Sequence, residues 1–103
     1  MNIYEPDRWV VIKYKDQHRI LAGWSGGYLH GDSWRMNSGI VKIEQQNKVL
    51  RFHGASGSIY ECNLDCYGMN RIMLDILRSF PKEAKVLTKE QAEIYINRKT
   101  KIS

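Results

Sequence analysis

Apolar and polar positions alternate through residues 9–15: Val10, Ile12 and Tyr14 fall on one side, Val11, Lys13 and Lys15 on the other. A period of two predicts a strand with one buried face. Asp16-Gln17 reads as a tight turn. Residues 18–24 follow as a second strand with Ile20, Ala22 and Trp24 on one face, so the pair predicts a hairpin. Residues 25–33 contain Gly26, Gly27 and Gly31 and read as a loop or an irregular strand with a bulge. Residues 34–44 resume a strand, Gln45-Gln46-Asn47 turn it, and residues 48–53 form the next, with Leu50 and Phe52 inward. Gly54 to Gly57 break the pattern, and residues 58–63 pair back with Tyr60 and Cys62 on one face.

The period then changes. Met69, Ile72, Met73, Ile76, Leu77 and Phe80 recur at steps of three and four, the apolar stripe of an amphipathic helix that Pro81 stops. Lys85-Val86-Leu87 is a short extended piece. Thr88 with Gln91 three residues on is a capping box, opening a second, shorter helix to about Asn97. The expected fold class is α+β: an antiparallel β-meander of about five short strands, one amphipathic helix and a shorter C-terminal helix. Residues 1–7, with Pro6 and Asp7, read as an N-terminal arm, and residues 98–103 as a frayed basic tail.

Length and charge narrow the picture. A chain of 103 residues is the size of one domain, expected over residues 1–103. Lys and Arg number 16 against 11 Asp and Glu, a net charge of +5, which favours an acidic partner. No apolar run reaches the roughly 20 residues of a membrane span, and Met1 to Asp7 carry no apolar leader. Two cysteines, Cys62 and Cys66, fit a reducing compartment, so the expectation is a soluble cytoplasmic protein without a membrane partner. Cys62-x3-Cys66 lacks the second pair a zinc site needs, so neither a metal nor another cofactor is expected. His18, His30 and His53 show no spacing that assembles a hydrolase, and the chain reads as a non-enzyme.

Candidate chemistry concentrates between Gly23 and Tyr60. Trp24, Tyr28 and Trp34 are flat surfaces on which bases stack. Arg35 is a forked cation suited to phosphate. Gly26, Gly27 and Gly57 leave backbone amides open to an anion, and Ser56 and Ser58 add hydroxyls. In a strand Trp34 and Arg35 point to opposite faces, so the two do not grip one ligand unless the strand kinks or a second subunit contributes. The phosphate-loop and dinucleotide-binding glycine patterns are both absent.

Gly23-Trp24-Ser25-Gly26-Gly27-Tyr28, Gly31-Asp32-Ser33-Trp34-Arg35-Met36-Asn37-Ser38-Gly39-Ile40 and Ser56-Gly57-Ser58-Ile59-Tyr60-Glu61-Cys62, with Trp9-Val10-Val11, resemble small early proteins of large tailed phages of the T-even type. Within that group the chain is most similar to the anti-CBASS sponges, which sequester cyclic oligonucleotide signals; the likeness spans roughly residues 9–70. The resemblance implies a homo-oligomer in the host cytoplasm during infection. It would capture a cyclic dinucleotide-type immune signal without cutting it, on Trp24, Gly26, Gly27, Tyr28, Trp34, Arg35, Ser38, Ser56, Gly57 and Ser58. Charge and rings alone also fit a nucleic-acid-binding module or a protein inhibitor of a host enzyme.

Overall fold

The run Trp9-Val10-Val11-Ile12 is buried at all four positions, which only a strand covered on both faces allows. That strand sits at the centre of the architecture. The computed structural model describes residues 2–26 and 31–102. Its elements are β1 (Ile3–Tyr4), β2 (Arg8–Tyr14), β3 (Gln17–Trp24), β4 (Ser33–Met36), β5 (Ile40–Gln46), β6 (Val49–Gly54), β7 (Ile59–Asn63), α1 (Arg71–Leu77), β8 (Lys85–Val86) and α2 (Lys89–Ile102). Two four-stranded sheets result, in the orders β4-β3-β2-β8 and β1-β7-β6-β5.

The α+β class is as expected; the single meander of five strands is not. The expected strand over residues 34–44 splits into β4 and β5, which lie in different sheets. Asn37 explains the break. Its backbone N–H donates to Ile20 O (3.1 Å) and its side-chain Oδ1 accepts from Ile20 N–H (2.8 Å), ending the β3–β4 ladder with a side chain in place of a carbonyl. Gly39 then takes φ +128°, a value side chains disfavour, and the chain crosses to the second sheet. The N-terminal arm is likewise partly ordered: Ile3 and Tyr4 pair in parallel with Ile59 and Tyr60, the one parallel pairing between these strands.

Turn chemistry sets the hairpin registers. Lys15 and Asp16 both have positive φ (49° and 61°), the signature of a two-residue turn whose twist matches the flanking strands. The turn therefore lies one residue earlier than the sequence pattern placed it, and Gln17 opens β3 opposite Tyr14. Between β5 and β6 the turn residue Asn47 takes positive φ (57°) while Lys48 does not.

The main core lies between the sheets. Trp9, Val11, Ile20 and Ala22 from one pack with Ile43, Leu50, Phe52, Tyr60 and Cys62 from the other, and Ala92 and Ile96 of α2 join them. Trp9 is pinned by its indole N–H donating to Asn63 O (2.7 Å), with Tyr67 edge-on at 4.8 Å. On the outer face of the first sheet, Val10, Ile12 and Leu21 pack against Met73 of α1.

Asn70 caps α1 through Oδ1 to Met73 N–H (3.1 Å). The helix ends at Leu77 and tightens into i→i+3 bonds at Ser79 and Phe80 before Pro81. Thr88 and Gln91 form the expected capping box, with bonds of 2.9 and 3.1 Å. The C-terminal helix is the longer one, 14 residues against 7, because the chain stays helical to Ile102. Of residues 98–103, read as a frayed tail, 98–102 continue this helix, and Ser103 lies outside the described residues. Among the described residues no helix is long and apolar enough to cross a membrane.

Candidate functional site

Strand register decides which candidate residues meet. β3 and β4 pair Ala22 with Arg35, Gly23 with Trp34 and Trp24 with Ser33. Directly opposed residues share a face, so Arg35 and Trp24 stand on the inner face of the first sheet, in line with buried Ala22. Trp34 stands on the other face, beside α1, and is 41% exposed. The opposite-face geometry expected for Trp34 and Arg35 is therefore present, and Trp34 is not part of the Arg35 cluster.

Two tyrosines that the sequence reading did not select complete that cluster. Tyr4 and Tyr60 are register partners on the facing edge of the second sheet. Their ring centroids are 5.2 Å apart, and Tyr4 meets Trp24 edge to face at 6.3 Å. The Arg35 guanidinium lies over the Tyr4 ring, 4.5 Å from its centroid. The Trp24 indole N–H donates to Glu5 O (3.0 Å), and Ser25 N–H donates to Asp7 Oδ2 (2.8 Å), so residues 5–7 brace the base of the loop. Burial pushes the Tyr60 hydroxyl up to about 12, against the opposing pull of the Arg35 charge. Tyr60 is therefore a neutral wall at physiological pH. Arg35 is exposed, and among the described residues no carboxylate pairs with it.

The serine and glycine candidates play other parts. Ser38 Oγ accepts from Ser56 N–H (2.9 Å), Ala55 N–H donates to Gly39 O (3.0 Å) and Gly57 N–H to Gly54 O (3.0 Å). The amides of residues 55–57 thus already have acceptors. The Ser56-Gly57-Ser58 turn offers hydroxyls, but not the open amides an anion nest requires. Gly57 takes φ +96°, which accounts for glycine there. Gly26 lies so close to the Gly31 carbonyl oxygen that any Cβ would collide with it; this glycine closes the neck of the loop. Gly27, Tyr28 and His30 lie outside the described residues.

The described histidines and cysteines do not converge on this cluster. His18 stacks on Tyr95 at 3.9 Å, at the far end of β3 from Trp24. His53 bonds Glu44 on the outer face of the second sheet, a contact that lowers the Glu44 carboxyl below its ordinary value. Cys62 and Cys66 are free thiols; Cys62 is buried, which raises its pKa well above the ordinary thiol value. Among the described residues no three His, Cys, Asp or Glu side chains gather as a metal site.

In comparisons with known proteins, the chain matches no protein-family model, no curated sequence and no solved structure at a significant level.

Proposed function

We propose that the protein binds and sequesters an anionic, base-bearing ligand of the cyclic oligonucleotide type at the Tyr4–Trp24–Arg35–Tyr60 cluster, without cleaving it. The observation that carries this reading is an exposed guanidinium with no carboxylate partner among the described residues, its central carbon 4.5 Å from the Tyr4 ring centroid. A cation–π contact with Tyr4 holds the guanidinium without using up its N–H donors, which stay available to phosphate oxygens. Trp24 and Tyr4 offer apolar surface beside it for a base. The segment resemblance to phage sponges supports the ligand class. In that setting the protein would lower the concentration of a host defence signal in the infected cell's cytoplasm.

Affinity arithmetic favours an assembly. Stacking contributes about 1–3 kcal/mol per base and each charge-assisted bond about 1.5–3 kcal/mol, while nanomolar capture needs about −12 kcal/mol after association costs. One Arg and two rings fall short of that, so we expect a homo-oligomer in which two chains enclose one ligand.

The test is calorimetric titration with a panel of cyclic di- and trinucleotides, with a single-stranded oligonucleotide as comparison. One cyclic nucleotide should bind at fixed stoichiometry, and at 100-fold over its Kd should raise stability by about 2.7 kcal/mol. Arg35→Ala should weaken it at least tenfold, since the side chain is exposed and dispensable for folding. Full affinity in Arg35→Ala, or binding only to the oligonucleotide with steep salt dependence, would refute the reading.

A further inference from the structure

A cavity lies on the outer face of the first sheet, the face opposite the Arg35 cluster. It has a volume of about 230 Å³ and lies between the sheet and the segment after α1. Its walls are Ile12 and Tyr14 of β2, Met36 of β4, and Phe80 and Ala84 from the connection to β8, with Arg19 at its rim. Register explains the grouping: Ile12 is opposite Arg19 and Leu21 opposite Met36, so all four share the outer face.

Arg19 is held in an unusual way for a half-buried cation. Its Nε–H and an Nη2–H both donate to Gln17 Oε1, at 3.1 and 2.9 Å. Gln17 in turn donates from Nε2 to Ser38 O (3.4 Å), and a side chain at Gly39 would strike that nitrogen at 2.5 Å. A neutral amide therefore orients the guanidinium without neutralising it. Three of its five N–H donors remain, and among the described residues no carboxylate pairs with Arg19 or with Lys15, whose ammonium sits 5.2 Å from the Tyr14 ring centroid. Net charge +5 adds to the local field.

An apolar cavity rimmed by an oriented, unneutralised fork is complementary to an amphiphilic anion. We propose that this cavity binds a small apolar carboxylate, its body among Ile12, Met36 and Phe80 and its head on Arg19. The volume lies below the roughly 300–1,000 Å³ that accommodates drug-sized ligands, which limits the body to a short chain or a single ring. Gln17 is the positioning residue.

The test titrates the ¹⁵N-labelled full chain with octanoate and phenylacetate, using 1-octanol and benzyl alcohol as uncharged matches. The acids should give saturable shifts at the Ile12, Tyr14 and Ala84 amides and bind at least tenfold tighter than the alcohols. Arg19→Gln should bring the acids to the alcohols' level, and Ala84→Leu should abolish the shifts by filling the cavity. No saturable shifts at those amides would overturn the proposal. So would alcohols that bind as well as acids, the behaviour of a plain apolar docking groove, or an Arg19→Gln protein that keeps the preference for acids.

Discussion

Replacing Gly23 by alanine sets two effects of opposite sign against each other. Gly23 lies in β3 on the face that α1 covers, and its φ is not in the left-handed region. A Gly→Ala change at a compatible backbone ordinarily stabilises by about 0.4–1 kcal/mol through the unfolded chain. Here the new methyl would sit 2.6 Å from Met73 Sδ, 2.7 Å from Met73 Cγ and 2.9 Å from Asn70 Nδ2. Met73 is fully buried, so it yields only by repacking, which costs about 1–3 kcal/mol. Asn70 Nδ2 belongs to the amide whose oxygen caps α1, and losing that cap adds about 1 kcal/mol. The net expectation is a loss of about 1–3 kcal/mol, or a Tm lower by at least roughly 4 °C for a domain of this size. Urea and thermal melts followed by circular dichroism measure it. The mechanism predicts a coupling as well. Met73→Ala alone should cost about 2–5 kcal/mol, but in the double variant the methyl occupies vacated space, so the combined loss should fall short of the sum by about 1 kcal/mol or more. Strictly additive losses, or a Gly23→Ala protein as stable as the parent, would refute the reasoning.

Two further outcomes follow from side chains away from that contact. Tyr67 OH donates to Leu87 O (2.6 Å) and accepts from Val11 N–H (3.2 Å), so Tyr67→Phe should cost about 1–3 kcal/mol in urea unfolding by orphaning both groups; a loss under about 0.5 kcal/mol would show that water replaces the hydroxyl. Burial first, then Lys13 and Lys99, lower the His18 pKa beneath 6.5, so the fold favours neutral His18 while the unfolded chain binds the proton more readily. Its contribution is therefore complete above pH 6.5 and declines as pH falls below that value. Tm measured from pH 7.5 to 5 should drop, and His18→Gln should flatten the drop; an unchanged slope would remove His18 from the account.

The hairpin of β2 and β3, the β6–β7 pair, the α1 stripe and the Thr88 cap were legible because each depends on neighbours in sequence. The second buried face of β2 was written in Trp9-Val10-Val11-Ile12, an unbroken apolar run that the surrounding alternation masked. What escaped depends on distant partners. Asn37 is 4% exposed, and its role as a stand-in carbonyl becomes visible only beside Ile20. β1 is two residues long, too short to carry a period, and its partner strand is β7. For the same reason Arg35 and Trp24 were identifiable as candidates, whereas Tyr4 was not. Tyr60 was assigned correctly to the face of Cys62, but nothing local showed that this face reaches Arg35.

The pairing of β1 with β7 also fixes an order of events. During synthesis Ile3 and Tyr4 leave the ribosome well before their partners, since Ile59 and Tyr60 lie 56 positions further along the chain. Such distant pairings carry the largest loop-closure cost and form late. The Arg35 platform therefore cannot be whole until the second sheet has emerged and docked. A nascent or partly folded chain would display Trp24 and Arg35 without the Tyr4 ring beside them, so the ligand capture proposed for this cluster would report completed folding, its competence gained in a single late step.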